Sequence, residues 1–296
     1  MLSKTQPEGM PVALSIAGSD SSAGAGIQAD LKSFQAHNVY GLTAITAVTA
    51  QNTQGVYAVQ EMQPEIVREQ ILCLFADMRI DAVKIGMVSS ELIIKAVAKA
   101  LQETRPNKAL VLDPVMISKS GHELLQPQAR QALQQELFPL ADLITPNLQE
   151  AEVLLGEKIV SLQEMEDAAR ELCRLGPRQV VLKGGHLEGS LAVDVYYDGC
   201  NFEYLHKEFI PTRNTHGTGC TFSSAIAACL ARGDTWLQAV QQAKEYVYQA
   251  IKHALPLGQG HGPTNHFFGF FQANGTRYPH RGSEGGKGEN GGLNAG

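Results

Sequence analysis

Residues 12–37 read VALSIAGSDSSAGAGIQADLKSFQAH. Val12–Ala17 is an unbroken apolar run of strand length. Gly18–Gly26 is rich in glycine and serine, and Ile27, Leu31 and Phe34 then recur at helical spacing as far as His37. A buried strand that feeds an amphipathic helix through a polar loop is the building unit of a parallel α/β sheet. The unit repeats outward along the chain. Leu42–Ala50 is β-branched and strand-like. Pro64 suits a first helical turn, with Val67, Ile71, Leu74 and Phe75 as its apolar stripe. Strand Ala82–Gly86, helix Ser90–Glu103, strand Ala109–Asp113, strand Asp142–Thr145 and helix Asn147–Leu155 follow. Ser161 and Glu164 form a capping box for helix Ser161–Leu175. Gln179–Lys183 is a strand, and Leu191–Tyr197 with Phe202–Leu205 a hairpin around Asp198-Gly199. Gly219–Ala231 and Thr235–His253 are the last two helices. Strands this continuously apolar are buried on both faces, which predicts an α/β fold with a mostly parallel central sheet and helices on both sides. No linker splits the pattern, so one domain is expected.

Composition narrows the function. Of 296 residues 44% are hydrophobic and 18% charged, enough to bury a sizeable core, and the formal net charge is -6. Without a basic footprint the chain is not expected to bind nucleic acid. No apolar run reaches a membrane-spanning length of about 18 residues. The opening MLSKTQPEGM has no apolar signal core, so a cytoplasmic protein is expected. The five cysteines, Cys73, Cys173, Cys200, Cys220 and Cys229, are scattered without a C-x-x-C pair, which argues against a disulfide framework or zinc site and suits a reducing compartment. Residues 281–296, RGSEGGKGENGGLNAG, are read as a disordered tail.

Four polar segments fall at strand ends, where parallel sheets bind ligands. Gly18–Gly26 permits close backbone approach. Its Gly24-Ala25-Gly26-Ile27-Gln28-Ala29 matches the dinucleotide pattern G-x-G-x-x-A, but residues 18–23 separate it from the strand, and Leu42–Ala50 offers no acidic ribose ligand. Asp30, in the first turn of the next helix, is readable as a dipole partner. Asp113 ends a very apolar strand, where a carboxylate needs a cation or donors. Asn147 and Glu150 share a face at a helix opening. The pair could orient metal-bound waters or could simply cap the helix. Asn214-Thr-His-Gly217-Thr218-Gly219-Cys220 opens a long Ala-rich helix, and small residues there leave N–H groups aimed outward as an anion hole. A thiol at that helix start is expected to have a lowered pKa. Lys183 before Gly184-Gly185 can reach phosphate oxygens. No G-x-x-x-x-G-K-[ST] occurs, so nucleotide use would not be of the P-loop kind.

GSDSSAGAGIQADLKSF, TAVTAQNT, VKIGM, VLDPVM, LITPNLQEAEVLLG, VLKGGH and NTHGTGCTFSSAIA, in this order over residues 11–271, resemble the bacterial hydroxymethylpyrimidine/phosphomethylpyrimidine kinases of thiamin biosynthesis. The resemblance implies a ribokinase-like three-layer α/β/α fold and a homodimer. It implies ATP- and Mg²⁺-dependent phosphorylation of 4-amino-5-hydroxymethyl-2-methylpyrimidine (HMP), then of HMP phosphate. Carried over by position, Gly18, Asp30, Gln51 and Met87 would line the pyrimidine pocket. The Gln51 amide both donates and accepts, as an aminopyrimidine edge requires. Asn147 and Glu150 would serve Mg-ATP, with Asp113 and Glu150 on the metal side. Lys183, Thr218 and Gly219 would cradle phosphates, and Lys244 would contact nucleotide. Sugar kinases of this class carry G-x-G-D with the Asp as base. Here Gly217-Thr-Gly-Cys220 places Cys220 at that point, a candidate for handling the acceptor proton beside Gly219 and Lys183. Ala23 stands where the family more often has glycine. A pyridoxal kinase of the same branch is the near alternative, and a thiol enzyme with Cys220 as nucleophile the distant one.

Overall fold

Strand β1 (Val12–Asp20) sends alternate side chains to opposite sides. Val12, Leu14 and Ile16 enter one apolar cluster and Ala13 the other, as a period of two demands. The computed structural model, which describes residues 9–104, 108–118, 121–185 and 191–273, repeats this division along the sheet. In β4 (Ala82–Ile85), Val83 and Ile85 join the first cluster and Ala82 the second. In β5 (Ala109–Leu112) and β7 (Gln179–Lys183), Leu110, Leu112, Val180 and Leu182 face one way and Val111 and Val181 the other. The residues of the predicted tail, 281–296, lie outside the described residues.

Among the described residues one sheet of nine strands runs β3-β2-β1-β4-β5-β6-β7-β8-β9, with β2 (Tyr40–Gln51), β3 (Val56–Glu61), β6 (Leu143–Ile144), β8 (Leu191–Tyr197) and β9 (Phe202–Glu208) completing it. The strands from β2 to β7 in that order pair in parallel, and β3, β8 and β9 are antiparallel additions at the edges. Helices α1 (Gly26–Ala36), α7 (Thr218–Ala231) and α8 (Trp236–Lys252) supply Phe34, Phe222, Ile226 and Val240 to one face. Helices α2 (Pro64–Asp77), α3 (Glu91–Thr104), α4 (Ala129–Ala132), α5 (Leu148–Leu155) and α6 (Leu162–Arg174) cover the other with side chains such as Ile71, Ile94, Ala151 and Met165. The expected three-layer α/β/α architecture is therefore present.

Several elements were not expected. β3 is an edge strand whose Tyr57 and Ala58 are exposed, so it lacks the apolar density of a central strand. Its turn is nevertheless built locally, since Asn52 Oδ1 accepts N–H groups from Gln54 and Gly55. α4 continues as a π-helical turn, Leu133–Leu137, and a 3₁₀ turn, Phe138–Leu140, and α9 (Phe268–Ala273) closes the described chain. The capping box of Ser161 and Glu164 is present, and Asp198 pins the β8–β9 turn through the N–H groups of Cys200 and Asn201.

The order of the strands reverses about β1, which has β2 on one side and β4 on the other. This makes β1/β4 a topological switch point, with the loops at its carboxyl ends free to part. Beneath those loops lies a sealed charge pair. Lys84 of β4 is fully buried, with Nζ 2.8 Å from both oxygens of the equally buried Asp30 of α1. Ser15 Oγ of β1 and Ser224 Oγ of α7 also donate to that carboxylate. Burial alone would drive the ammonium proton off, but the facing Asp30 holds it on, well above the ordinary lysine range. Four elements are thus tied together at a satisfied buried charge. Lys84→Met should destabilise the protein by about 3–5 kcal/mol in chemical denaturation, because Asp30 is left unpaired. The double variant Lys84→Met/Asp30→Asn should recover a large part of that loss.

Candidate active site

After β1 the chain folds over its own carboxylate. Asp20 Oδ1 accepts the Ser22 N–H and hydroxyl, and Oδ2 accepts the N–H groups of Gly24 and Ala25. His216 Nε2 lies 2.8 Å from the same Oδ2. Burial works against an ionised Asp20, but His216, Ser22 and the backbone donors outweigh it and hold the carboxyl down at about 2. Ala23 takes a left-handed conformation, φ 60°, and Lys32 of α1 anchors its carbonyl at 2.7 Å. The family-like glycine at this position is absent, and the methyl group is carried at positive φ.

The second loop meets the first almost without separation. Gly217 has φ 78°, and a Cβ built on it would lie 1.7 Å from the Gly24 carbonyl oxygen. Only glycine satisfies both the conformation and the contact. α7 starts at the next residue. The opening N–H groups of a helix have no turn below to receive them, so those of Gly219 and Cys220 are available at the helix mouth. A Cβ on Gly219 would stand 3.3 Å from Lys183 Nζ and 3.4 Å from Asp113 Oδ2, while the Gly26 N–H points at Cys220. The helix mouth therefore touches the loop after β1 on one side and the ends of β5 and β7 on the other.

One cavity of about 470 Å³ runs along this seam. Gly18, Gln51 and Met87 line it, as do Asp113, Asn147, Glu150, Lys183, Thr218, Gly219 and Cys220. The residues expected for an acceptor ring and those expected for phosphates thus share one space. Two expected residues stand elsewhere. Asp30 is fully buried in the ion pair with Lys84 and presents no surface to the cavity, a correction to its expected place in the pyrimidine pocket. The charge of Lys84 draws it inward. Lys244 of α8 is 2.6 Å from Asp194 Oδ2, beside β8, and does not line the cavity either.

The electrostatics also depart from sequence expectation at Cys220. Burial pushes its thiol up to about 11, aided by the negative Asp30 and Asp113 and opposed by Lys84 and the Gly26 N–H. The shift is upward, opposite to the lowered value expected of a thiol at a helix start. An upward shift argues against the activated nucleophile a thiol enzyme needs. At the far wall Lys183 Nζ is 3.0 Å from Asp113 Oδ1, which also accepts the Thr145 hydroxyl at 3.0 Å. Burial disfavours the Lys183 ammonium, but Asp113 and Glu150 keep its pKa above the usual value. Asn147 and Glu150 close a full capping box: Asn147 Oδ1 accepts the Glu150 N–H at 2.9 Å and Glu150 Oε2 the Asn147 N–H at 2.8 Å. Burial raises the Glu150 carboxyl to about 7, with Lys183 pulling it down and Asp113 pushing it up.

Asp20, Thr49 and His216 were not singled out from sequence as site residues. Asp20 sits in a Ser-Asp-Ser-Ser run whose only local meaning is a turn. His216 stands inside the anion-loop motif, but its partners Asp20 and Gln51 are 196 and 165 residues away in sequence.

Comparison with known proteins gives the family of the chain. The model of the family described as phosphomethylpyrimidine kinase matches residues 20–265. The hydroxymethylpyrimidine/phosphomethylpyrimidine kinase of Rhizobium meliloti is 51% identical over 259 residues, covering 86% of this chain and 97% of that protein. The thiamine biosynthesis bifunctional protein of Geobacter sulfurreducens is 49% identical over 253 residues; the match covers 86% of this chain and only 51% of that protein's length. The structure of an ADP complex of Bacillus subtilis pyridoxal kinase superposes with TM-score 0.80 at 44% identity, over 87% of this chain and 98% of the other. The fold is the ribokinase-like one.

Gly217→Ala should abolish turnover and destabilise the chain by about 2–4 kcal/mol in denaturant melts, because a methyl group at positive φ must displace the Gly24 carbonyl. Ala23→Gly should act in the opposite direction, raising stability by up to about 1 kcal/mol by relieving the left-handed alanine. Glu150 makes a pH-dependent contribution. Its folded pKa is raised, so the folded state holds its proton more tightly than the unfolded chain, and stability falls as pH rises from about 4.5 through about 7. Glu150→Gln keeps the cap and removes that dependence. Its melting temperature relative to the parent should therefore be higher at about pH 8 than at about pH 5, by the equivalent of roughly 1–3 kcal/mol.

Proposed function

Because the chain belongs to the phosphomethylpyrimidine kinase family, we propose that it transfers a phosphoryl group from ATP to the hydroxymethyl group of HMP, and a second one to the resulting HMP phosphate. One observation carries this best. The cavity that holds Gln51, a two-way hydrogen-bonding amide, also holds the open mouth of α7 and Lys183. Phosphoryl transfer asks a protein mainly to align donor and acceptor and to neutralise charge on the moving group. The N–H groups of Gly219 and Cys220 with Lys183 supply that charge. Gly18, Met87 and Gln51 would seat the ring so that its hydroxymethyl arm lies under the helix mouth. A loose transition state needs little help from a base. A thiol held at about 11 is therefore compatible with Cys220 serving the acceptor proton late in the transfer.

Nucleotide would lie along Asn147, Lys183, Thr218 and Gly219, and Asp113 and Glu150 would hold Mg²⁺. Among the described residues no three His, Cys, Asp or Glu side chains gather around one point. Mg²⁺ usually keeps several waters and takes only one or two carboxylates beside the phosphates, so two suffice. The chemistry fits, since both hydrogen bonds to Asp113 fall on Oδ1 and its Oδ2 faces Gly219, while Glu150 carries a carboxyl whose ionisation a cation would favour. When bound, the ion would neutralise phosphate charge as it develops.

A pyridoxal-type acceptor is the second reading, favoured by the similarity to the Bacillus subtilis pyridoxal kinase. The proposal extends to a cytoplasmic homodimer with one catalytic domain over residues 11–271. Among the described residues no helix is long and apolar enough to cross a membrane. Incubation with ATP, Mg²⁺ and HMP should yield first the monophosphate and then the diphosphate by mass spectrometry, and pyridoxal should turn over more slowly in parallel. No HMP product alongside rapid pyridoxal phosphorylation would replace the first reading by the second. Lys183→Ala should raise the KM for ATP at least about tenfold, with a smaller effect on acceptor KM, as the loss of a charged hydrogen bond implies.

A further inference from the structure

Around Gln51 one assignment of hydrogen-bond donors and acceptors pairs every group, and no substrate is needed to see it. His216 Nε2 is 2.8 Å from Asp20 Oδ2 and 3.3 Å from the amide nitrogen of Gln51. At the other end of the amide, Thr49 Oγ1 is 3.3 Å from Gln51 Oε1 and 3.0 Å from the Ser19 carbonyl. Asp20 also accepts from Ser22, Gly24 and Ala25, and its ionised carboxylate has no hydrogen to give. The hydrogen on the 2.8 Å contact must therefore sit on His216 Nε2, in the neutral ring as in the charged one. A ring nitrogen that carries its hydrogen has no lone pair left for the amide of Gln51. Thr49 is constrained in the same way. The shorter contact of its single hydroxyl hydrogen is with the Ser19 carbonyl, which leaves its lone pair to accept from Gln51.

The two ends of a carboxamide are nearly equal in size, so hydrogen bonding decides which way it lies. We propose that His216, locked by Asp20, is a positioning residue that turns the Gln51 carbonyl toward itself and the Gln51 NH₂ toward Thr49, and thereby fixes which hydrogen-bonding edge an acceptor ring must present. In that orientation every group has a partner. His216 Nε2–H is shared between Asp20 and the Gln51 carbonyl, and Gln51 donates to Thr49, which donates to Ser19. What remains of the amide for the cavity is an acceptor lone pair on the His216 side and one N–H on the Thr49 side. A ring with an exocyclic amino group next to an unprotonated ring nitrogen is its complement, with the amino group toward His216. The consequence for specificity rests on the acceptor site proposed above; the amide orientation stands on the ligand-free contacts alone.

Two measurements on the full chain test it. In the ligand-free protein with ¹⁵N-labelled histidine, the His216 signals, assigned by their loss in His216→Gln, should show Nε2 protonated. An unprotonated Nε2 overturns the proposal. In steady-state assays with HMP and ATP, Thr49→Val and His216→Ala should each raise acceptor KM about tenfold and leave ATP KM within about twofold, as expected when a paired amide loses its orienting partner. His216 also packs on Gly24, and Thr49→Val, which keeps the shape of the side chain, is the control for that. An unchanged acceptor KM in Thr49→Val, or equal rises in both KM values in His216→Ala, overturns the positioning role. If the unaltered protein fails to phosphorylate HMP, the acceptor assignment falls, while the nitrogen measurement still tests the hydrogen on which the Gln51 orientation rests.

Discussion

The site depends on a contact that leaves no room for a side chain: Gly217 packed against the carbonyl of Gly24, with the Asp20–His216 hydrogen bond beside it. The two loops leave different strands and are separated by most of the chain. Each loop alone would be an ordinary connection on a switch-point sheet. Pressed together, they place the bare amides of α7 within reach of whatever Gln51, Gly18 and Met87 hold. Loss of this contact would remove the relation between the loop after β1 and the mouth of α7, on which the proposed alignment of acceptor and phosphate depends. That is why positive φ is found at Gly217, and why the Asp20 carboxylate takes so many donors.

Two lysine–aspartate pairs divide the electrostatic work by exposure. Lys84–Asp30 is sealed, with both side chains at 0% exposure and the carboxylate also met by two serines. Nothing can replace either partner, so the pair is scaffold, and it holds β1, β4, α1 and α7 in register under the site. Lys183–Asp113 opens on the cavity, the lysine retaining 17% of its exposure. A phosphate can compete with Asp113 for that ammonium, and a cation can compete with the ammonium for Asp113. The same residue types are structural where water and ligand are shut out and functional where they are admitted. Exposure distinguishes them; identity does not.

Exposure is also what the sequence could not reveal. The fold was legible because burial on two faces writes itself into continuous apolar strands such as Val12–Ala17 and Ala82–Ile85, and because Pro64, Ser161 and Asp198 mark element ends by local chemistry. β3 was not, since a half-exposed edge strand has no distinctive period. Asp30 looked like a pocket residue from its motif, and only the position of Lys84 on the neighbouring face of β4 shows that it turns inward. Cys220 looked like an activated thiol from its place at a helix start, yet burial and the facing Asp30 and Asp113 carboxylates push it up. Asn147 and Glu150 were legible as a pair, and the capping box they form leaves a metal role open rather than replacing it. His216 could be read only as a member of a loop, because its meaning lies in Asp20 and Gln51.

The question of acceptor then narrows to one amide. HMP and pyridoxal are both heteroaromatic rings with a hydroxymethyl arm, and the helix mouth proposed to receive the arm would not tell them apart. They differ in the edge they offer: an amino group beside a ring nitrogen in one, oxygen substituents around a pyridine in the other. Discrimination of this kind is strong only where a buried polar group would be left unpaired by the wrong ligand. Gln51 is the group in the cavity that can be stranded in this way, and its preference is set before any ligand arrives, by His216 on one side and Thr49 on the other. Specificity in this protein would thus reside in which end of the Gln51 amide faces His216. A relative could shift between acceptors by changing what faces Gln51 while every residue of the phosphate site stayed the same.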